Sequence, residues 1–326
     1  MAACTVAIPV FNQRDFIAQA VRSALDQDIP GLEIIVVDNC SSDGTWDVLQ
    51  QFKAYGIKLH RNPANIGLFG NFNRCLELST STYLRLLSAD DRLPPRCLGH
   101  EVAVLEKHPG AVLLSSRGQF IDPSGTRLGV FAADFPSGVY EGQKVPGQWL
   151  QYYAHYRRNP LNYPSGILIR ADRLHNRVRF DERFVTAGDI EFYFRALQHG
   201  DLVIADTLGS YVTRHASQTH IGPNLDGTAI KEQLSLLDTF GGQAGDAVSR
   251  EHLRPQFGGM CLGLAIYRYW SSSTRDSARI HLRLARTLAS GWMNATVGLA
   301  KIVACRLCGS LLGRHAPHVP APARPL

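Results

Sequence analysis

Two aspartates, Asp90 and Asp91, stand side by side in the stretch LLSADDRLPP, where an apolar run ends and prolines follow. Adjacent carboxylates in a crevice repel each other, and without a cation one of them tends to hold a proton. A divalent ion removes that conflict. Hard carboxylate oxygens select Mg²⁺ or Mn²⁺, which bind through one or two carboxylates plus substrate phosphates. On that reading Asp90 and Asp91 hold a metal that bridges to a diphosphate and acts as a Lewis acid on a phosphate leaving group. The pair alone fits helix capping equally well, since an aspartate before RLPP can satisfy free N–H groups. Asp38, after the run EIIVV, carries a similar ambiguity. It reads as a ribose- or base-binding acid at a strand end or as an Asx-turn.

The elements that must position these groups alternate along the chain. Apolar, β-branched runs at 5–10 and 32–38 read as buried strands, 57–61 as a short strand, and 82–89 and 111–116 as further strands. Segments with helical spacing lie between them, at 16–25, around 46–52, at 69–78 and after Pro94 and Pro95. Strands alternating with helices over short connections predict an α/β fold with a mostly parallel sheet covered on both faces. Ligands of such sheets sit beyond the carboxyl ends of the strands. The first strand ends in Pro9, Phe11 and Asn12, the second in Asp38 and Asn39, and a later one in Ser88, Asp90 and Asp91. These three ends are expected to converge on one crevice.

The second half is less regular. It reads as a turn and helix over 138–153, a strand over 163–170, a loop leading into a helix that stops at Gly200, and two short strands over 201–215. Helical spacing runs from about Thr228, and the proline-rich tail 315–326 is expected to be disordered. The domain reading is therefore 1–225 for a catalytic domain, divided into 1–116 for nucleotide binding and 117–225 for acceptor binding. A helical extension over 226–314 and the tail follow.

With 326 residues, 45% hydrophobic and 19% charged, the chain can bury a large core and is not of the disordered class. No run of about 18 uncharged apolar residues predicts a spanning helix. The amino terminus shows no leader pattern. Seven scattered cysteines suit a reducing cytoplasm, and Cys305 and Cys308 read as small apolar residues of a helix rather than half of a zinc site. The net charge of +6 is uneven. The first 251 residues hold 24 bases and 27 acids, and the remainder ten bases and one acid, Asp276.

The segments VAIPVFNQRDFIAQAVRSALDQ and LEIIVVDNCSSDGTWDVL resemble the opening of the inverting family 2 glycosyltransferases of GT-A fold. NPANIGLFGNFNRCL resembles the family's next segment, and LRLLSADDRLPP its DxD-type metal motif. The resemblance spans about residues 4–107, with weaker echoes to about 220, and its specificity lies in the order of the pieces. It implies a GT-A, Rossmann-like sheet with a helical C-terminal extension. It implies that Pro9, Phe11, Asn12 and Asp38 line the base and ribose site, and that Asn65, Gly67 and Asn73 shape the pocket floor. Asp90 would lie near the ribose or metal, and Asp91 would ligate the metal. TAGDIEFYFRAL resembles the segment that supplies the family's catalytic base, which falls on Asp189, with Glu191 as the fallback. YVTRHASQTH resembles a segment near the diphosphate, where Arg214 or His215 would contact phosphate or metal; His215 is the metal candidate and Arg214 is placed with the acceptor-binding residues. YPSGILIR resembles the acceptor-side strand, where Gly166 would allow close approach. Ser88, Phe72 and Gly188 depart from the family's pattern. They stand where it often has the first acid of the metal motif, an arginine before the pocket asparagine and an acid before the base.

The expected function is metal-assisted, inverting transfer of a hexose or deoxyhexose. The donor is a nucleoside diphosphate sugar, UDP-linked by preference. The acceptor is a hydroxyl of a glycan or lipid-linked molecule, in surface polysaccharide biosynthesis. The alternatives are a non-catalytic sugar-nucleotide binder and a nucleotidyltransferase, which would want a glycine-rich phosphate loop that IPVFNQRDF lacks. In the basic quarter, Arg268, Arg275, Arg279, Arg283 and Arg286 lie among leucines, and 292–312 is apolar around Lys301 and Arg306. Such helices pack on the catalytic domain or on a second subunit, or they lie on an anionic membrane. The expected location is cytoplasmic, with peripheral contact at the inner membrane face as the second option. No aromatic-basic pattern points to nucleic acid.

Overall fold

The computed structural model describes residues 4–131, 134–174, 177–215, 226–242, 250–269, 274–290, 293–301, 303 and 319–326. Among them, nine strands form one sheet: β1 (Cys4–Val10), β2 (Glu33–Asp38), β3 (Lys58–Arg61), β4 (Tyr83–Leu86), β5 (Ala111–Ile121), β6 (Arg127–Phe131), β7 (Gly138–Tyr140), β8 (Ile167–Arg170) and β9 (Asp201–Thr213). The order is β3-β2-β1-β4-β8-β5-β9-β7, with β6 paired to β5. The four strands of the first half are parallel throughout. Beyond them the sheet is mixed: β8 runs antiparallel to β4 and β5, whereas β5 and β9 are parallel.

The period of two decides which side chain faces which layer. Val6, Ile8, Val10, Ile34 and Val36 bury against Ile17, Ala20, Val21 and Ala24 of the helix Ile17–Leu25 and against Leu98, Val102 and Leu105 of the helix Cys97–Lys107. Ala7, Ile35, Val37, Leu84 and Leu86 face the opposite layer, with Phe69, Phe72 and Cys75 of the helix Leu68–Leu78. Both faces are covered, so these strands read as continuous apolar runs rather than alternating ones.

The sequence reading needs correction in the second half. Residues 201–215 are not two strands but one of 13 residues, β9, kept in contact with β5 by register shifts at Ser115/Arg117 and neighbouring positions. The run over 111–116 extends to Ile121 and turns back through β6, whose Leu128 and Val130 are exposed. The strand over 82–89 ends at Leu86, and Ser88 to Asp91 form a turn closed by the Asp91 N–H on the Ser88 carbonyl (3.0 Å). The tail is not disordered over 319–326. Val139 of β7 donates to the Arg324 carbonyl (2.8 Å) and accepts from the Ala323 N–H (2.8 Å), and Arg324 pairs with Asp201. Residues 315–318, Cys305, Cys308 and most of the apolar stretch after 303 lie outside the described residues.

The C-terminal helices pack on the sheet's helical layer. Ile230, Leu236, Leu237 and Phe240 of the helix Thr228–Phe240 join the core that holds Trp149 and Phe194, and the Phe194 and Phe240 rings meet edge to face at 5.2 Å. Phe257, Met260 and Cys261 of the helix Arg250–Tyr269 are buried in the same cluster.

At the junction of the two halves, Arg85 of β4 has no exposure. It pairs with the fully buried Glu101 and donates to the carbonyls of Ser165 (2.6 Å) and Gly209 (3.0 Å). Removing one partner of a buried pair leaves an uncompensated charge, at a cost of about 3–5 kcal/mol. Arg85→Met is therefore expected to lose about that much stability in urea unfolding. A loss below about 1 kcal/mol would show that the pair does not carry the junction.

Candidate active site

The carboxyl ends of β1, β2 and β4 and the start of the helix Gly188–Ala196 enclose a cleft of about 470 Å³. That volume suits a small-molecule ligand. Pro9 and Phe11 line it from the end of β1, Asn39 from the end of β2, and Ser88, Asp90 and Asp91 from the turn after β4. Asn65 and Gly67 form its floor with Asn71, Phe69 and Phe72, while Asp189 and Arg214 close the far side.

Asp91 is buried, yet both its oxygens have donors. The Ser165 hydroxyl gives a 2.6 Å bond to Oδ2, and the Thr213 N–H a 3.0 Å bond to Oδ1. Burial raises its pKa well above the usual carboxylate range, and the neighbouring charge of Asp90 raises it further. The Asp90 carboxylate lies 2.9 Å from Nε2 of His215, whose ring stacks on Phe16 at 4.6 Å. His215 thus stands behind Asp90 rather than in the lining. The pair is a carboxylate cluster, not a cap. Arg92, directly after them, forms a β-bridge with Tyr211, and Arg96 stands before the helix Cys97–Lys107 without a side-chain cap.

Asp189 lies in the first turn of its helix, with Oδ1 accepting the Ile190 N–H at 2.8 Å. Burial is the largest influence on its carboxyl and pushes its pKa up to about 6. Glu191 does not line the cleft and is held by Arg195 at 2.5 and 2.6 Å. Arg214 is fixed by its backbone bond to Ile121 (2.8 Å), and its guanidinium lies 4.0 Å from the centre of the Phe120 ring. It therefore presents a cation to the cleft with little freedom.

Several expected site residues are not brought into the cleft. Asp38 sits behind the loop after β2, accepting the Ser41 N–H (3.1 Å) and paired with Arg61 (3.0 Å). Asn12 adopts a left-handed backbone (φ 51°) and spends its groups on the same loop. Its N–H donates to Ser41 Oγ, and its Oδ1 accepts the Ser42 N–H, both at 2.9 Å. Asn73 is buried against the backbone of Phe180 and against Glu182, so its neighbour Asn71 takes the expected place in the floor. Gly166 offers no room to a substrate, because a Cβ there would lie 1.9 Å from Asn162 Nδ2.

Other residues of the cleft were missed. Tyr163, Thr186 and Gln13 line it, and Ser165 holds Asp91. Tyr163 lay in a segment read as a strand. The Ser165 bond spans 74 residues, so no local pattern signals it.

Residues 5–184 match the sequence pattern of Glycosyl transferase family 2. The chain belongs to this family. Over 90 residues it is 39% identical to TuaG of Bacillus subtilis (strain 168), described as a putative teichuronic acid biosynthesis glycosyltransferase. That match covers 27% of this chain and 36% of TuaG. Over 107 residues it is 35% identical to EpsE of the same organism, described as a putative glycosyltransferase, covering 32% and 38%. Each match thus spans little more than a third of the relative's own length. Among solved structures, residues 1–349 of S. aureus TarS in complex with UDP-GlcNAc share the fold, with a TM-score of 0.60 over 92% of this chain and 88% of that one, at 15% identity.

Within this family 2 chain, the departure at Gly188 has a steric cause. A Cβ at that position would meet the Phe69 ring at 2.6 Å, so the cleft wall and an acidic side chain directly before Asp189 exclude each other. Ser165→Ala removes the donor to a buried carboxylate oxygen, which costs about 1–3 kcal/mol. Urea unfolding is expected to show that loss, and an unchanged midpoint would mean that Ser165 does not hold Asp91.

Proposed function

We propose that the protein transfers a hexosyl or deoxyhexosyl group, with inversion, from a nucleoside diphosphate sugar to an acceptor hydroxyl. A UDP-sugar is the favoured donor, supported by the fold shared with a TarS structure that holds UDP-GlcNAc. A glycan or lipid-linked acceptor in surface polysaccharide assembly is supported by the similarity to TuaG. One observation carries the reading. A desolvated carboxyl, Asp189, shares a cleft with an acidic pair and a fixed arginine, so a base and a charge-neutralising group lie in one site.

The acceptor hydroxyl gives its proton to the Asp189 carboxylate as its oxygen attacks the anomeric carbon. The bond from that carbon to the diphosphate oxygen breaks, and the electron pair leaves with the diphosphate. Arg214 neutralises the charge that develops there. Attack and departure on opposite faces of the sugar give inversion.

The donor set fits a hard divalent ion. Asp91 remains an acceptor on both oxygens after its two hydrogen bonds, and a cation offsets the repulsion from Asp90 that burial amplifies. Among the described residues no three acidic, histidine or cysteine side chains form a closed metal cage. Mg²⁺ and Mn²⁺ bind through one or two carboxylates and take the remaining oxygens from phosphate. Asp91 and Asp90, with His215 behind, would hold the ion, which when bound supplies positive charge to the diphosphate.

No helix among the described residues is long and apolar enough to cross a membrane. Arg279, Arg283 and Arg286 are exposed along one side of the helix Arg275–Leu288. That stripe supports peripheral contact with an anionic surface where a lipid-linked acceptor resides.

UDP is expected to raise the melting temperature only when Mn²⁺ or Mg²⁺ is present, and an equal rise without the ion would remove the metal from the site. Asp189→Asn is expected to keep that rise while turnover of the donor falls about 100- to 10,000-fold. A protein that merely binds the nucleotide sugar would show no difference. A base must be ionised to act, so the rate is expected to climb as pH rises through about 6 and to level off above it. A profile flat from pH 5 to 8 would exclude Asp189 as the titrating base.

A further inference from the structure

The helix that carries Asp189 begins without a cap of its own. Its N-cap position is Ala187, which has no side-chain acceptor, and Gly188 follows. The free N–H groups before a helix attract an anion. Here the anion comes from a different part of the chain. Glu232, on the helix Thr228–Phe240, reaches the segment before Asp189 with both carboxylate oxygens. Oε1 accepts the Val185 N–H at 2.5 Å. Oε2 accepts the Thr186 N–H (2.8 Å), the Thr186 hydroxyl (2.7 Å) and the Ala187 N–H (2.9 Å).

We propose that Glu232 is a positioning residue that fixes the base-bearing turn from the C-terminal helical extension and sets the electrostatic environment of Asp189. The proposal rests on the reading of Asp189 as the base. Four bonds donated by three consecutive residues to one carboxylate are charge-assisted and stronger than neutral ones. They hold Thr186, which lines the cleft, and aim the first turn of the helix so that Asp189 faces the acceptor side. Helix and loop are 45 to 47 residues apart in sequence, so the catalytic half completes its site only with the extension docked. The Glu232 charge also acts against ionisation of Asp189, in the same direction as burial, whereas Tyr163 and Tyr193 face Asp189 as neutral phenols.

The test uses the full chain, and its exchange and titration measurements need no identified substrate. Hydrogen–deuterium exchange at the amides of Val185, Thr186 and Ala187 is compared in wild type, Glu232→Ala and Glu232→Gln. Carbonyl-¹³C aspartate labelling follows the Asp189 titration, with Asp189→Asn as the assignment control. Exchange at the three amides is expected to rise at least about tenfold in the alanine variant while peptides of β1 and β2 are unchanged. The glutamine variant keeps one acceptor oxygen and the fold, so its exchange rises less, but the Asp189 midpoint moves down because the negative charge is gone. Unchanged exchange in the alanine variant, or an unmoved Asp189 midpoint in the glutamine variant, would overturn the role of Glu232 alone. Undiminished turnover in Asp189→Asn would instead overturn the base assignment and this proposal with it.

Discussion

A guanidinium with no access to water determines where the two halves of this molecule meet. Arg85 sits on the last of the four parallel strands and reaches three other elements: the helix after β4 through Glu101, the turn before β8 through Ser165, and β9 through Gly209. Dehydrating such a cation is costly unless its donors are used, so the position tolerates few alternative arrangements. The glycine at 209 belongs to the same constraint, because a Cβ there would lie 1.8 Å from the Ser116 hydroxyl and 2.2 Å from Glu101. By holding the Ser165 carbonyl, Arg85 also fixes the hydroxyl that donates to Asp91. The electrostatics of the cleft therefore begin one layer beneath it.

Two kinds of carboxyl result from that arrangement. Asp91 is buried beside a like charge, and its hydrogen bonds only partly offset the rise in its pKa. Asp189 is raised by burial with few opposing contacts. The first environment favours a cation, and the second leaves a carboxyl that changes charge close to neutral pH. These two environments stay apart because the walls of the cleft come from different halves of the chain. The asparagines between them are tied to one another: Asn39 bonds Asn65 (2.8 Å) and Asn62 (3.0 Å), and Asn62 bonds Asn71 (2.9 Å). A floor built this way has little freedom to reshape around a ligand.

The parts of this design that were legible in the sequence share one property: they are encoded within a few residues. TVAIPV and EIIVV are unbroken β-branched runs, and their ends announce a crevice. The acidic pair follows directly on a buried strand, and Asp189 opens an apolar helix. What was not legible depends on partners far along the chain. Asn73 carries the right side chain for a pocket, yet Phe180 and Glu182, more than a hundred residues on, take its groups. Gly166 offers freedom of approach in isolation, but Asn162 fills the space. Glu232 reads as one polar residue on an amphipathic helix until the loop before Asp189 is seen against it. The β6 hairpin was missed because its arm RLGVF is largely exposed and lacks the buried signature used to find the others.

The short strand β7 stands at one end of the sheet order, where unpaired amides invite pairing with another molecule. Residues 319–326 occupy that margin by bonding both backbone groups of Val139, and Pro322 lies against Gly138 so closely that a side chain there would collide with it. Proline cannot propagate a ladder, so the segment seals the margin without itself becoming a new template. The chain thereby carries its own guard against edge-to-edge aggregation.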